Sequence, residues 1–446
     1  MNASKTEELL RVAKFGGTSL AFGENVERAA KIVLSKTNRR YVVVSAPGKR
    51  FAEDTKITDM LYAAYDAMGE EKAKMLDRIK ERFEEIARYL GVDPDLDGIF
   101  SRIKEAFENG FGRDYAASRG EYIMGVIFSL YIGYEFIDAA DVILFFENGE
   151  FDGVGTQNAL QDRLSECRCA VIPGFYGRTP SGRIKTFARG GSDITGALVS
   201  RAVGADIYEN FTDVDGFMMA DPSLVDSPDI MEQVTYDQLA ALSRMGAVVL
   251  HEDSVYPVKL LGIPINIKNT FAPDRMGTLI VSSMDKKAPC ITGISGKKGY
   301  SSIIVKKNTS SNKGRLLSEV CEVLNGAGVG LEFVLAGINS VYFLVSEREL
   351  SSCRERVVLE IKARSSPDLV DIKDALALVA IVGEDVCEGA LYFKMLSELS
   401  KSGILPTVVI KPDGEDCVIL GVDEFEYRDT VRHLNKTAKD LNGTEV

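Results

Sequence analysis

Tryptophan is absent from this chain of 446 residues, and histidine occurs only at His251 and His433. This scarcity argues against catalysis by histidine and against a histidine-rich metal site. The seven cysteines are an odd number, and none of them stands in a Cys-x-x-Cys pair. We therefore expect reduced thiols, as in a cytoplasmic protein, instead of disulfides or structural zinc.

The sequence also lacks a long apolar run. Its first residues, MNASKTEELLRVAK, contain no apolar core of a signal peptide. The most membrane-like stretch, YIMGVIFSLYIGY at residues 122–134, is uncharged for 13 residues, whereas about 20 are needed to span a bilayer. We expect this stretch to form a buried helix of a soluble protein.

Runs of basic residues are missing as well, and the formal net charge is -13. A nucleic-acid partner is therefore not expected, because nothing would neutralise its phosphate backbone. An anionic small-molecule substrate would have to be bound by a few local cations against an unfavourable overall field.

The length predicts two or three domains. In the first part, short apolar runs at residues 41–45, 170–173 and 205–211 alternate with helical patterns. Such alternation predicts a mainly parallel sheet covered on both faces, with ligands bound beyond the carboxyl ends of the strands. Between about residues 59 and 137, long charged amphipathic patterns predict a helical insertion, whose charges are typical of a solvated helical face.

After about residue 283 a β-α-β-β pattern occurs twice. Two helical patterns end in LNGAGV (residues 324–329) and LSKSGI (residues 399–404), and each is preceded by one strand-like run and followed by two. This repetition predicts two small ferredoxin-like modules.

The stretch KFGGTS at residues 14–19 places a lysine before two glycines where a strand turns into a helix. Without Cβ atoms, Gly16 and Gly17 let backbone N–H groups approach an anion, and Lys14 adds a positive charge. The order differs from a Walker A loop, in which the lysine follows the glycines. By themselves, two glycines after a strand more often form an ordinary structural turn than a phosphate site.

Two later stretches have the same ambiguity. RGGSD at residues 189–193 again places a cation before two glycines, with Ser192 as a candidate N-cap and Asp193 in the first helical turn. TDVDG and ADP, within residues 212–222, come at the end of a strand and together contain three aspartates. They fit a nucleotide site with Thr212 and Asp213, but Asx turns account for the aspartates as well.

In this order, the stretches resemble the aspartate kinase family of the amino-acid kinase superfamily. The resemblance covers nearly the whole chain, including C-terminal repeats that look like paired ACT modules. It rests on KFGGTS, VVVSAPG followed by ITDML, SRGE at residues 118–121, RGGSD, TDVDG with ADP, and GAVVLH with IPINIKNTFAPDRMGTLI.

The resemblance implies an α/β protein with the amino-acid kinase fold, a mainly parallel sheet sandwiched by helices, and two ferredoxin-like βαββαβ ACT modules. The implied domains are a catalytic domain at residues 1–284 with the helical insertion at about 59–137, a first ACT module at 285–370 and a second at 371–446.

The implied activity is ATP-dependent phosphorylation of the side-chain carboxylate of L-aspartate to 4-phospho-L-aspartate, the first step of lysine, threonine and methionine biosynthesis. Mg²⁺ would arrive on the ATP phosphates, without a metal site made of protein ligands. The rivals are an amino-acid kinase acting on glutamate or a carbamate, and a catalytically silent amino-acid sensor.

The same resemblance implies which residues take part in catalysis, which bind aspartate and which bind ATP. Lys14 and Asp193 would be catalytic. The substrate aspartate would be bound by Ser45, Thr58, Glu121, Arg189 and Ser192. ATP would be bound by Lys14, Gly16, Gly17, Thr212, Asp213, Asp221, Lys268 and Asn269. Met218 and Ser223 depart from the family pattern around the ADP turn.

The ACT modules imply feedback by an amino acid, with lysine as first expectation and threonine as second, and pairing of chains into a dimer or tetramer. The candidate effector residues are Ser318, Glu332, Asn339 and Ser340. Ser318 and Ser340 are explained equally well as exposed residues of a helix and a strand.

Overall fold

A computed structural model describes residues 9–188, 190–247, 250, 252–284, 290–307, 313–384, 386, 389–412 and 414–443. The chain divides into two compact units. The first comprises Met1–Phe217, Ile230–Leu239 and Val249–Lys286, and the second comprises Met218–Asp229, Ala240–Val248 and Lys287–Val446. The predicted boundaries at residues 284/285 and 370/371 stay predictions. Within the described ranges, no helix has the length and apolarity to cross a membrane.

The first unit alternates strands and helices, as the sequence predicts. Its strands are β1 (Arg11–Phe15), β2 (Arg39–Val44), β3 (Glu135–Phe136), β4 (Ala170–Pro173), β5 (Tyr176–Arg178), β6 (Ile184–Thr186), β7 (Ile207–Thr212), β8 (Gln233–Thr235), β9 (Ile265–Asn269) and β10 (Thr278–Val281). Its helices are α1 (Gly23–Leu34), α2 (Ile57–Asp66), α3 (Gly69–Leu90), α4 (Leu96–Glu108), α5 (Arg113–Ile132), α6 (Ala139–Val142), α7 (Gly153–Ser165), α8 (Gly191–Ala202), the first residues of α9 (Tyr236–Arg244), which are grouped with this unit up to Leu239, and α10 (Glu252–Lys259).

The main sheet of this unit has the strand order β3-β4-β2-β1-β7-β9-β10-β8. Its described pairs are parallel except for β9 with β10. One face, with Phe15 and Phe211, packs against α1 to α5, and the other, with Val43 and Tyr208, packs against α6, α7, α8 and α10. Burial on both faces is the condition under which parallel strands are stable, and the predicted sheet is confirmed.

The helical segment between β2 and β3 forms part of this core. Helix α5 contains the membrane-like stretch, and Ile123, Ile127 and Phe128 are fully buried there. The predicted buried helix is therefore confirmed. The described cysteines are free thiols.

Glu209 of β7 is the most buried carboxylate of the sheet, with 1% of its surface exposed. Its Oε2 lies 2.6 Å from Nε of Arg39, and its Oε1 lies 2.9 Å from Nη1 of Arg11. Burial alone would raise the pKa of Glu209, but the hydrogen bond and charge of Arg39, together with Arg11, lower it. The carboxylate therefore stays ionised and joins the starts of β1 and β2 to β7.

We expect Glu209→Ala to lower the free energy of unfolding of the first unit by about 3–5 kcal/mol, because it leaves two guanidinium groups without their buried partner. Denaturant unfolding followed by circular dichroism measures this change. The matched control is Glu70→Ala, which removes a largely solvent-exposed ion pair with Lys74 and should cost less than about 1 kcal/mol. Equal losses in both variants would contradict a structural role for the buried pair.

The second unit contains one continuous antiparallel sheet with the order β12-β13-β11-β14-β16-β15. Its strands are β11 (Gly293–Lys306), β12 (Leu331–Ala336), β13 (Ser340–Ser346), β14 (Leu369–Val382), β15 (Val408–Ile410) and β16 (Cys417–Asp423). Its helices are α11 (Lys313–Ala327), α12 (Glu347–Ser351), α13 (Arg354–Ser365), α14 (Gly389–Lys401) and α15 (Tyr427–Asn442).

Two ferredoxin-like modules share this sheet through the long strands β11 and β14. Residues 300–306 of β11 pair with residues 369–376 of β14 in the first module. Residues 293–297 of β11 pair with residues 378–382, beside β16, in the second module. The second module thus takes its fourth strand from a segment that precedes the first module in the chain. The two predicted βαββαβ modules are confirmed, but the sequence repeat gave no sign of this exchange.

Helix α15 binds the segment Met218–Asp229 within the same unit. Nε of Arg432 donates to the carbonyl of Leu224 at 2.8 Å, and Nζ of Lys439 donates to the carbonyl of Ser227 at 3.0 Å. Lys439 also lies 3.2 Å from Oδ1 of Asp229. These contacts explain why this segment groups with the C-terminal modules.

Candidate active site

The parallel strands β4, β2, β1, β7 and β9 end at one edge of the first unit's sheet, where the sequence predicts ligand binding. Lys14, next to the last residue of β1, is paired in register with Asn210 of β7. Asn210 is paired in turn with Ile267 of β9. The register therefore brings polar side chains from separate strands to the same face near this edge.

Lys14, Asp193 and Asn210 form a hydrogen-bonded cluster at this edge. Nζ of Lys14 lies 2.6 Å from Oδ1 of Asp193 and 3.3 Å from Oδ1 of Asn210. Nδ2 of Asn210 donates to Oδ1 of Asp193 at 2.8 Å. Lys14 is 7% exposed, whereas the side chain of Asp193 is 23% exposed. The predicted pair is thus joined directly, and Asn210 is a member that the sequence analysis missed.

A close contact with the backbone of a neighbouring loop explains why residue 17 is a glycine. A Cβ on Gly17 would lie 3.0 Å from the carbonyl oxygen of Ala46 and 3.3 Å from Cα of Gly48, so a side chain would push this turn away from the loop after β2. The N–H of Gly16 donates to the carbonyl of Phe211 at 3.0 Å. That N–H is therefore used by the sheet, contrary to the expectation that it donates to a phosphate.

Helix α8 begins next to this cluster and differs from its predicted cap. Its N-cap is Gly190, with φ of 59°, in the left-handed region that favours glycine. Ser192 is instead the second helical residue, and a Cβ on Gly174 would lie 2.7 Å from its Oγ. Asp193 occupies the first turn, as predicted. Arg189 lies outside the described residues.

Glu121 of α5 is a buried acid with an unused oxygen. It is 5% exposed, and its Oε2 has no hydrogen-bond partner among the residues that the structure describes. Burial raises its pKa to about 8, opposed by a hydrogen bond from the backbone of Ala46 and by the charge of Arg119. A buried acid of this kind is neutral at pH 7 unless a cation binds beside it.

Arg119 lies two residues before Glu121, and aromatic rings surround its guanidinium. Its Cζ lies 4.5 Å from the ring centre of Tyr115, 4.7 Å from that of Tyr122 and 5.3 Å from that of Tyr176. Such contacts stabilise a cation in a buried position.

Ser45 and Thr58 lie on the loop and helix that cover Glu121. The N–H of Ser45 donates to the carbonyl of Phe15 at 3.2 Å, and Thr58 is the second residue of α2. A Cβ on Gly120 would lie 2.7 Å from Cβ of Ala46 and 3.1 Å from Cγ2 of Ile57. The close packing of α5 on this loop therefore brings the predicted substrate residues Ser45, Thr58 and Glu121 into one neighbourhood.

The predicted nucleotide residues divide into two groups. Thr212 and Asp213 end β7, where Oγ1 of Thr212 donates to Oδ1 of Asp213 at 3.2 Å. Asn269 is paired with Thr212 in register, and its Nδ2 donates to Oδ1 of Asp215 at 2.7 Å. These residues share the carboxyl edge with Lys14.

Lys268 does not join that cluster. Lys268 is paired with Phe211, and its side chain therefore points to the opposite face from Lys14, where the charge of Glu209 acts on it. Burial lowers the pKa of Lys268. Asp221 lies in the segment that groups with the second unit, and its Oδ1 accepts from the N–H of Ser223 at 2.8 Å.

Of the predicted effector residues, Asn339 and Ser340 lie at the turn from β12 to β13. Nζ of Lys313, the first residue of α11, donates to the carbonyl of Gly337 in this turn at 2.7 Å. Ser318 is exposed further along α11, and Glu332 is exposed on β12. The helix start and the turn are therefore close to each other, whereas Ser318 lies beyond that contact.

The described residues contain no group of three or more histidine, cysteine, aspartate or glutamate side chains that could hold a metal ion.

Comparison with known proteins gives a consistent result. The model of the amino acid kinase family matches residues 10–269. Aspartokinase 3 of Bacillus subtilis (strain 168) is 31% identical over 444 residues, which covers 95% of this chain and 98% of that protein. Lysine-sensitive aspartokinase 3 of Escherichia coli (strain K12) is 25% identical over 84% of this chain and 87% of that protein.

Among solved structures, the aspartate kinase of Clostridium acetobutylicum superposes with a TM-score of 0.88 at 38% identity. The match covers 96% of this chain and all of that chain. The similarity therefore extends through the C-terminal modules as well as the sheet that carries Lys14.

Proposed function

Because the chain belongs to the aspartokinases of the amino acid kinase family, we propose that Lys14, Asp193 and Asn210 form the centre at which ATP phosphorylates aspartate. The enzyme transfers a phosphoryl group to aspartate. The observation that supports this centre best is the buried ammonium of Lys14, held by two partners at the ligand-binding edge of the sheet.

Phosphoryl transfer to a carboxylate brings two anions together. A side-chain oxygen of aspartate attacks the γ-phosphorus of ATP, the bond from that phosphorus to the β,γ-bridging oxygen breaks, and ADP leaves with the bond's electron pair. The acceptor is already ionised at neutral pH, so no general base is needed. Catalysis then depends on positioning and on neutralising negative charge.

Lys14 suits that task because of its hydrogen-bonding capacity. An ammonium group has three donors, of which one is directed to Asp193 and one to Asn210. The third remains for an oxygen of the transferring phosphoryl group. Asp193 and Asn210 also bond to each other, so the ammonium is held in place before substrate binds, and little reorganisation is needed during the reaction.

Glu121 is proposed to bind the ammonium group of aspartate. Its unpaired Oε2 lies in a buried position beside the loop that carries Ser45, and a cation there would restore the ionised form of the acid. By the family resemblance, Arg189 would bind the α-carboxylate, with hydrogen bonds from Ser45, Thr58 and Ser192. Discrimination against glutamate then depends on the distance between Glu121 and Lys14.

ATP is proposed to enter with Mg²⁺ on its phosphates, near Gly17, Thr212, Asp213 and Asn269. Asp193 is the carboxylate of this edge that lies closest to Lys14, and it would orient the metal-bound phosphates. The ion would neutralise charge on the β- and γ-phosphates.

An assay of ADP release tests this function. Purified protein with ATP and Mg²⁺ should release ADP when L-aspartate is added, and far more slowly with L-glutamate or with no acceptor. Omission of Mg²⁺ should abolish the release. Equal rates with glutamate would favour the rival amino-acid kinase, and no aspartate-dependent release at all would favour a silent sensor.

Feedback by lysine, with threonine as the second candidate, is proposed for the C-terminal modules. The proposal is supported by their ferredoxin-like fold and by the similarity to the lysine-sensitive relative. Lysine added to the full-length enzyme should lower the rate of ADP release at a fixed concentration of aspartate. Asn339→Ala should weaken the inhibition without changing the uninhibited rate, and unchanged inhibition would remove the turn from the effector site.

We further propose that the enzyme acts at the entry to lysine, threonine and methionine biosynthesis in the cytoplasm. We also propose that chains pair through the ACT modules, with the catalytic domain at residues 1–284 and the modules at 285–370 and 371–446. Size-exclusion chromatography with light scattering measures the oligomeric state.

A further inference from the structure

Arg82 is an unusual residue of helix α3. The other charged side chains of this helix lie mostly in solvent, but Arg82 is 6% exposed, beside the buried residues Ile79, Phe83 and Ile86. Burying a guanidinium group costs free energy unless hydrogen bonds and a counter-charge compensate for the lost water. The position of Arg82 therefore needs a structural explanation.

Its hydrogen bonds go to the loop between β2 and α2. Nη2 donates to the carbonyl of Gly48 at 2.9 Å, and Nη1 donates to the carbonyl of Thr55 at 2.8 Å. Nη2 also lies 3.6 Å from Oδ2 of Asp54. One guanidinium group thus holds both ends of the segment 48–55, because its planar fork directs separate N–H donors to the two carbonyls in a fixed geometry.

Asp54 provides the counter-charge. Burial would raise the pKa of Asp54, but hydrogen bonds from Arg50 and the charge of Arg82 hold it well below its usual range. The carboxylate is therefore ionised at neutral pH. The pair joins the middle of α3 to the loop without any direct contact with Lys14 or Asp193.

The same loop contacts the glycine turn beside Lys14. The N–H of Gly48 donates to the carbonyl of Gly17 at 2.8 Å, and a Cβ on Gly48 would lie 2.7 Å from the carbonyl carbon of Gly17. Gly48 therefore contacts Gly17 through its N–H and Arg82 through its carbonyl. Two residues before Gly48, Ala46 contacts Gly120 and is hydrogen-bonded to Glu121.

We infer that Arg82 is a positioning residue for the kinase reaction, which fixes the loop 45–55 against Gly17 on one side and Glu121 on the other. The helical segment thereby contributes to catalysis through one buried side chain. This inference rests on the proposed roles of Lys14 and Glu121. Because a displacement of about 1 Å at reacting groups can cost about 100-fold in rate, loosening this loop should be visible in turnover.

Three variants test the inference in the full-length enzyme. Arg82→Met keeps much of the apolar stem and removes both hydrogen bonds, Arg82→Lys keeps the charge but lacks the planar fork, and Arg78→Met removes an exposed arginine one turn earlier on the same helix. We expect kcat to fall about 10- to 100-fold in Arg82→Met, less in Arg82→Lys, and not at all in Arg78→Met.

The split between kcat and KM separates positioning from mere stability. Thermal unfolding gives the folded fraction of each variant, and kcat is expressed per folded molecule. A fall in kcat per folded molecule, with partial recovery in Arg82→Lys, supports positioning. If Arg82→Met has the wild-type kcat per folded molecule and the wild-type KM values, the inference is overturned, even if the melting temperature falls. Wild-type enzyme without aspartate-dependent turnover would refute the proposed function instead.

Discussion

Replacing Lys14 by methionine should lower kcat by about 1,000-fold or more. Methionine keeps much of the length of the side chain and removes the positive charge that neutralises the transferring phosphoryl group, and loss of one such group commonly costs two to three orders of magnitude or more. Lys14 is buried and bonded to Asp193 and Asn210. Because these two partners are an acid and an amide, the cluster has no second cation to replace the lost charge. Steady-state ADP release measures the effect.

The control for Lys14→Met is Lys31→Met. Lys31 is an exposed lysine of α1 that pairs with Glu27 one turn earlier, and its loss should leave kcat unchanged. Because Asp193 keeps its hydrogen bond from Asn210 at 2.8 Å, Lys14→Met should stay folded. Turnover close to that of the wild type in Lys14→Met would remove this lysine from the mechanism.

Replacing Glu121 by glutamine should chiefly weaken the binding of aspartate. Loss of a buried charge partner typically costs about 2 kcal/mol or more, which corresponds to a rise of about 30-fold in KM for aspartate. KM for ATP should change little, because Glu121 lies by the loop after β2 and not at the ends of β7 and β9. Substrate titrations at fixed pH measure both constants.

The pH dependence of aspartate binding provides a second test of Glu121. Burial raises its pKa to about 8, so the free enzyme holds the acid protonated at lower pH, and an ammonium group can bind only after the proton leaves. Affinity for aspartate should therefore rise with pH, by about 50-fold between pH 6 and pH 8, and level off above the pKa.

Glu121→Gln supplies the control for this pH effect, since an amide does not titrate. Its KM for aspartate should be high and nearly constant from pH 6 to pH 8.5. A wild-type KM that stays flat over this range would show that Glu121 does not control aspartate binding through its titration, and an equal slope in the variant would show that another group titrates.

Much of the first unit follows from the sequence. The apolar runs at residues 41–45, 170–173 and 205–211 became β2, β4 and β7, because buried parallel strands need apolar side chains on both faces. The same reasoning found Lys14 at a strand end. The contact between Lys14 and Asp193 joins residues far apart in the chain, and the motif resemblance pointed to both of them.

Other features could not be predicted because they depend on pairing across the fold. Asn210 looked like one polar residue in a strand, and only the register with Lys14 gives it a partner. Lys268 and Asn269 are neighbours in the chain, yet the alternation of a strand sends their side chains to opposite faces. The sharing of β11 by the two modules leaves no signal in the local sequence.

Arg82 illustrates the limit of charge patterns. Its helix carries so many charges that a solvated face was the natural prediction, and for most of α3 that is correct. The exception became visible only when the carbonyls of Gly48 and Thr55 were found within hydrogen-bond distance of the guanidinium. A charged helix can thus supply one buried residue to a loop that it covers.

Transfer of the γ-phosphate in a single turnover tests the central claim most directly. Enzyme in excess over labelled ATP with Mg²⁺ and L-aspartate is quenched over time, and the hydroxylamine-sensitive acyl phosphate is quantified. The wild type should convert the bound ATP to this product, and Lys14→Met should bind ATP while forming almost none. Formation of the acyl phosphate by Lys14→Met at the wild-type rate would contradict the assignment of the phosphoryl-transfer centre to Lys14.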